Sequence, residues 1–173
     1  MLQRLATLAA AILLAACASN PETVTSRGAA QLKPTAGNTV SGTVTFSQQA
    51  KGVLIAGEVR GLAPNREHGF HVHEKGDCSS PDGMSTGGHF NPTGAPHGAH
   101  DHSQRHAGDL ASLKADATGL ARFSYLSDAI SVGSGVANVV GRGLIVHRDP
   151  DDFKTQPTGN SGPRVACAVI TQG

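Results

Sequence analysis

Charge is scarce in this 173-residue chain and neither sign dominates: Asp, Glu, Lys and Arg make up 16% of it, and the formal net charge is +1. That balance excludes the strongly basic footprint of a nucleic-acid binder, so no nucleic-acid partner is expected. Tryptophan is absent and aromatic residues amount to only 3%. With so little charge, the 22 Gly exclude a coiled coil or long helices, which are built from runs rich in Ala, Glu, Lys and Leu. No apolar run is long enough to cross a bilayer as a helix; the stretch Leu5 to Leu14 falls well short of the ~20 residues required. A hydrophobic content of 38% is nevertheless too high for a disordered chain. What stands out is a set of 9 His, accompanied by 3 Cys.

The N-terminus reads as targeting, not as structure. Arg4 ahead of Leu5 to Leu14 has the build of an export signal. It ends in Leu14-Ala15-Ala16-Cys17, which resembles the bacterial lipobox, whose Cys becomes the lipidated first residue of the mature chain. Residues 1–16 are therefore expected to be a lipoprotein signal peptide, with Cys17 carrying the lipid that attaches the protein to a membrane. The expected location is the periplasm or cell envelope, and Ala18 after Cys17, where an Asp could stand, favours the outer membrane. Loss of Arg4 takes the 14 basic residues to 13, equal to the 13 acidic ones, so the mature chain is formally neutral. Cys78 and Cys167 remain, and in an oxidising compartment they are expected to pair. Residues 17–38, polar and small with Pro21 and Pro34, predict a lipidated N-terminus followed by a flexible tether, leaving 39–173 as the folded domain.

Alternation begins there. Val40, Gly42, Val44 and Phe46 take one parity and Thr39, Ser41, Thr43 and Thr45 the other, the pattern of a half-buried strand. Further strands are predicted at Val53–Val59, His68–Glu74, Leu110–Ala115, Leu120–Leu126, Val136–Val140, Gly143–His147 and Val165–Thr171. No stretch of twelve residues carries a helical period with caps. The expected class is all-β: an eight-stranded antiparallel sandwich or barrel with two long loops. One of them, residues 75–109, is so long and so rich in Gly, Pro and Asp that something must hold it in place.

The histidines are candidates for that task, since metal binding can substitute for a missing core. His71 and His73, at i and i+2 on a strand, project from the same face and could grip one ion. Alone, the pair would serve equally well as two polar residues facing solvent. Loop residues His89, His97 and His106 follow, with Asp109 three positions beyond His106. Three imidazoles and a carboxylate suit Zn²⁺, whereas an all-imidazole set suits a copper that changes oxidation state.

Four motifs in this order resemble the copper/zinc superoxide dismutase family: Gly69-Phe70-His71-Val72-His73-Glu74, Gly88-His89-Phe90-Asn91-Pro92, Arg105-His106-Ala107-Gly108-Asp109-Leu110, and Gly159 to Cys167 (GNSGPRVAC). The likeness runs from about residue 40 to 171 and implies a Greek-key barrel. It implies copper on His71, His73, His89 and His147, and zinc on His89, His97, His106 and Asp109, with His89 bridging the two ions. Asp151 matches a carboxylate that links a copper His to a zinc His, and Arg164 a guanidinium that holds a small anion at the mouth of the copper site. The implied reaction is dismutation of superoxide by copper cycling between Cu(II) and Cu(I), with His89 and Arg164 as catalytic residues and zinc organising the site. The implied oligomeric state is monomer or homodimer. His68, His100 and His102 match no ligand position. One departure is a short run of sixteen residues between His147 and Arg164, in which Lys154 is the only Lys. The rival readings are an exported copper/zinc buffer on the same fold, which would have no use for Arg164, and a structural β-sandwich lipoprotein with incidental histidines.

Overall fold

The structure, a computed structural model, describes residues 23–173; the expected signal peptide and Cys17 lie outside the described residues. Ten strands and one 3₁₀ turn (Met84–Thr86) succeed one another: β1 (Ser26–Pro34), β2 (Ser41–Gln49), β3 (Gly52–Arg60), β4 (Glu67–His68), β5 (Phe70–His73), β6 (Leu113–Lys114), β7 (Ala121–Ser127), β8 (Gly143–His147), β9 (Arg164–Val169) and β10 (Thr171–Gln172). The main sheet runs in the order β5-β8-β9-β1-β2-β3-β7, with β10 also paired to β1, and every named pairing is antiparallel. β4 and β6 form a separate pair. From β3 the chain crosses to the far edge for β5, returns to the opposite edge for β7, and crosses again to β8, as a Greek key requires.

Alternation explains the packing. In β2, Val44 and Phe46 are fully buried while Thr43 and Thr45 face solvent; in β3, Val53, Ile55 and Val59 do the same. The curled sheet brings these side chains against Phe70 and Val72 of β5, Leu144 and Val146 of β8, and Ala166 and Ala168 of β9, in one continuous core. Phe70 meets Phe123 of β7 edge to face at 5.6 Å between ring centroids.

Three expectations need correction. Residues 26–34 are not tether but a strand at the middle of the sheet, paired with β2 from Ser26↔Gln48 to Leu32↔Gly42 and with β9 at Lys33↔Cys167 and Pro34↔Ala166. Its inward positions are Gly28, Ala30 and Leu32, two of them too small to give an apolar alternation. Residues 136–140 are not a strand either. Val136 is 81% exposed, Val139 is buried in the core and Val140 packs against it only in part, because positive φ at Gly133, Gly135 and Gly141 turns the backbone there. The expected strand at 110–115 contracts to Leu113–Lys114, although Leu110 is buried.

The long segment after β5 is not held by histidines alone. Phe90 N–H donates to the Val72 carbonyl at 2.8 Å, Val72 N–H to that of Gly108 at 2.9 Å, and Gly108 N–H to that of Phe90 at 2.8 Å. Residues 88–90 and 108–109 thus return to lie along β5, although no sheet ladder forms. Gly108 permits this closeness, since a Cβ there would overlap the Val72 carbonyl oxygen. Cys78 and Cys167 form the expected disulfide, with 6.0 Å between Cα atoms, and it ties this segment to β9.

Candidate metal centre

His71 and His73 leave β5 on the face opposite Phe70 and Val72, and that face is covered by the returning segment, so all four residues are buried. The segment delivers His89 and Asp109 beside them, through single bridges His73↔His89 and His71↔Asp109. His147 ends β8 where the register slips between Val146 and His147, which turns its ring toward the others. Two buried groups result: His71, His73, His89 and His147; and His89, His97, His106 and Asp109. Within each, the candidate ligand atoms lie within 4.8 Å of one another, and His89 belongs to both.

Each ring of the first group is fixed through one nitrogen. His73 Nδ1–H donates to the Gly87 carbonyl at 3.0 Å, and His147 Nδ1–H to that of Gly162 at 3.0 Å. His71 Nε2–H donates to Asp151 Oδ2 at 2.7 Å, and His89 Nδ1–H to Asp109 Oδ1 at 2.8 Å. The other nitrogens (His71 Nδ1, His73 Nε2, His89 Nε2 and His147 Nε2) are buried without a hydrogen-bond partner. Each such orphan costs about 1–3 kcal/mol unless something binds it. Burial pushes His71, His73 and His147 below the usual imidazole range and His89 to about 4. The four rings are therefore neutral, and four lone pairs converge in a dry site, the donor set that copper prefers.

The second group is built on the Asp109 carboxylate. Burial alone would raise its pKa, but the imidazoles of His106, His89 and His97 crowded around it hold it far below the usual range. His97 Nδ1 lies 3.0 Å and His106 Nδ1 3.3 Å from its oxygens, yet neither nitrogen makes a hydrogen bond. A carboxylate and three imidazoles crowded this closely are what a tetrahedral Zn²⁺ would draw together. His97 is the exception to neutrality. Burial works to lower its pKa, but Asp109 and Asp151 override it and raise the value to about 9. The positive charge on His97 offsets the buried carboxylates, a role that a bound cation would also fill.

Asp151, in the β8–β9 loop, ties the groups together: its second oxygen accepts from His97 Nε2–H at 2.9 Å while the first accepts from His71. Burial opposes its ionisation, but those two hydrogen bonds hold its pKa well below the usual carboxylate range. Arg164, at the start of β9, donates to the carbonyls of Gly83 (2.8 Å) and Gly87 (2.7 Å) and to Thr86 Oγ1 (2.7 Å). Three of its five N–H groups are engaged and two remain for an incoming anion. Its charge helps depress the pKa of both His73 and His147, which places it beside the first group.

The three remaining histidines lie outside both groups. His68 Nδ1–H donates to the His147 carbonyl at 3.0 Å, His100 lies 5.2 Å from the Tyr125 ring, and His102 is exposed. Sequence reasoning overlooked the Gly87 and Gly162 carbonyls that orient two rings, and Thr86, which braces Arg164. Backbone oxygens carry no side-chain signature. Gly159 stood inside a recognised motif without a role; a Cβ there would overlap Asp151 Oδ1 and lie 2.5 Å from His97 Nε2.

Comparison with known proteins is consistent with this geometry. The family model for copper/zinc superoxide dismutase (SODC) matches residues 40–170. A Cu-Zn superoxide dismutase of Paramecium bursaria Chlorella virus 1 is 44% identical over 138 residues, covering 76% of this chain and 72% of that one. A second, from Aquifex aeolicus (strain VF5), is 39% identical over 135 residues, covering 76% and 79%. The crystal structure of the clock protein EA4 superposes with a TM-score of 0.77 at 40% identity, covering 88% of this chain and 98% of that one. On fold, site and sequence alike, the chain belongs to the copper/zinc superoxide dismutase family.

Proposed function

We propose that the protein dismutates superoxide, two superoxide anions and two protons giving one dioxygen and one hydrogen peroxide. In this reading His71, His73, His89 and His147 hold copper, and His89, His97, His106 and Asp109 hold zinc. When bound, copper supplies one-electron exchange with superoxide as it alternates between Cu(II) and Cu(I), and zinc supplies a fixed positive charge. Arg164 docks the anion with its two unengaged N–H groups. His89 Nε2, neutral and screened from water, could hold a proton whenever that lone pair is not given to copper, and pass it to the departing peroxide. Asp151 keeps His71 and His97 in their orientations, and the Gly87 and Gly162 carbonyls do the same for His73 and His147.

The observation that carries this reading is the convergence of four buried, unpartnered imidazole nitrogens beside an Arg with free donors. A metal buffer needs the first feature and not the second. Protein loaded with copper and zinc is expected to consume superoxide near the diffusion limit, to lose that activity on copper chelation, and to regain it on copper return. Fully loaded protein that leaves superoxide intact would refute the proposal. Arg164→Ala is expected to lower consumption by about 10- to 100-fold, the value of one or two charge-assisted hydrogen bonds, at unchanged metal content. Unaltered consumption in that variant would favour the buffer.

We further propose that the leader directs export, that Cys17 carries the lipid, and that the enzyme works at the cell envelope, on the outer membrane. Support comes from Leu14-Ala15-Ala16-Cys17 after the apolar run and from a disulfide suited to an oxidising compartment. Mass spectrometry of the mature N-terminal peptide is expected to show an acylated Cys17; a mature chain starting at any other residue contradicts it.

A further inference from the structure

Between the β8–β9 loop and the segment following β5 lies an open crevice of about 750 Å³, with His97 and Gly98 in its lining and Asp101, His102, Phe153 and Gln156 around it. One side chain spans it. The Gln156 amide donates from Nε2 to the His97 carbonyl at 2.9 Å and accepts the His97 backbone N–H on Oε1 at 2.8 Å. It thus pairs both backbone polar groups of one residue, as a neighbouring strand would. Among the described residues neither group has another partner, because His97 lies in a stretch without secondary structure.

The β8–β9 loop therefore grips His97 at both ends. Asp151 takes ring Nε2 and Gln156 takes the backbone. The loop is fit for this because it is internally braced. Asp152 accepts from the N–H groups of Lys154 and Thr155 and from Thr155 Oγ1, and Gly159 N–H closes onto the Thr155 carbonyl at 2.7 Å.

We propose that Gln156 is a positioning residue for His97 and, through it, determines how long the protein retains zinc. The inference rests on the assignment of zinc to His89, His97, His106 and Asp109. Without the amide, both backbone groups of His97 turn to water in the crevice, its Cα is free to shift, and Nδ1 leaves its place beside Asp109. Partners that orient metal ligands are worth about 10- to 100-fold in metal affinity. Among the described residues Gln156 makes no hydrogen bond to His71, His73 or His147, so copper retention should not change.

The test uses the full chain loaded with copper and zinc and follows release of each metal to a chromogenic chelator. Gln156→Ala is expected to release zinc about 10- to 100-fold faster than the parent, with copper release unchanged. Gln156→Glu keeps an acceptor for the His97 N–H but loses the donor to its carbonyl, and is expected to fall between the two. Zinc release from Gln156→Ala at the parental rate would overturn the proposal. So would parallel acceleration of both metals, which marks general loosening. A parent chain that takes up no zinc would instead overturn the metal assignment beneath it.

Discussion

Joining residues 1–22 directly to residue 39 is expected to yield a chain that does not fold. The deletion removes β1, the strand between β2 and β9. It exposes the inner faces that Ala30 and Leu32 cover, and it opens two sheet edges in the middle of the structure. On the order of ten backbone hydrogen bonds are lost, at about 1 kcal/mol each. Burial of Leu32 adds roughly 1.5–3 kcal/mol. Together these reach the whole stability of an ordinary domain, about 5–15 kcal/mol. Circular dichroism should show no cooperative thermal transition, and the chain should hold neither metal. A cooperative transition with metals bound would mean that β1 is dispensable, despite its place at the centre of the sheet.

Gly159→Ala is expected to damage the site more than any other single glycine change in the β8–β9 loop. Two effects combine. The residue has φ +64°, where a side chain costs about 1–2 kcal/mol, and the new Cβ would displace the carboxylate that joins the two histidine groups. We expect zinc affinity to fall about 100-fold and superoxide consumption to fall with it. Gly141→Ala is the control. Its φ is +81° but nothing lies within 4 Å of the added Cβ, so it should lower stability by about 1–2 kcal/mol and leave both metals in place. Equal zinc affinities in the two variants would show that backbone strain alone, and not the displaced Asp151, accounts for the loss.

Much of this architecture is legible in the amino-acid order, and what is not has identifiable physical causes. β2 and β3 announce themselves because buried apolar residues recur at alternate positions, Val44 and Phe46 between threonines in β2 and Val53, Ile55 and Val59 in β3, and because turn residues bound each run. The histidines and Asp109 that the motifs single out do come together, since β5 sets the faces of His71 and His73 while the returning segment sets the rest. β1 stayed hidden because two of its three inward residues, Gly28 and Ala30, are small and resemble linker composition. Val136 and Val140 misled in the opposite sense: two branched residues imply a strand only if the backbone between glycines can extend. The Gly87 and Gly162 carbonyls and the Gln156 amide were illegible for another reason. Their roles depend on where two loops meet, a distance of many residues along the chain, and nothing in their chemistry marks them out.

The Gly87 carbonyl has a mechanical consequence. It accepts from His73 Nδ1–H and from Arg164 Nη2–H at once, so a copper-side ring and the anion dock are both registered to one oxygen atom. If the segment that carries Gly87 drifts, ring and guanidinium drift with it, and the gap between them stays constant. An electron transfer that depends on that gap is thereby insulated from the motion of the loop.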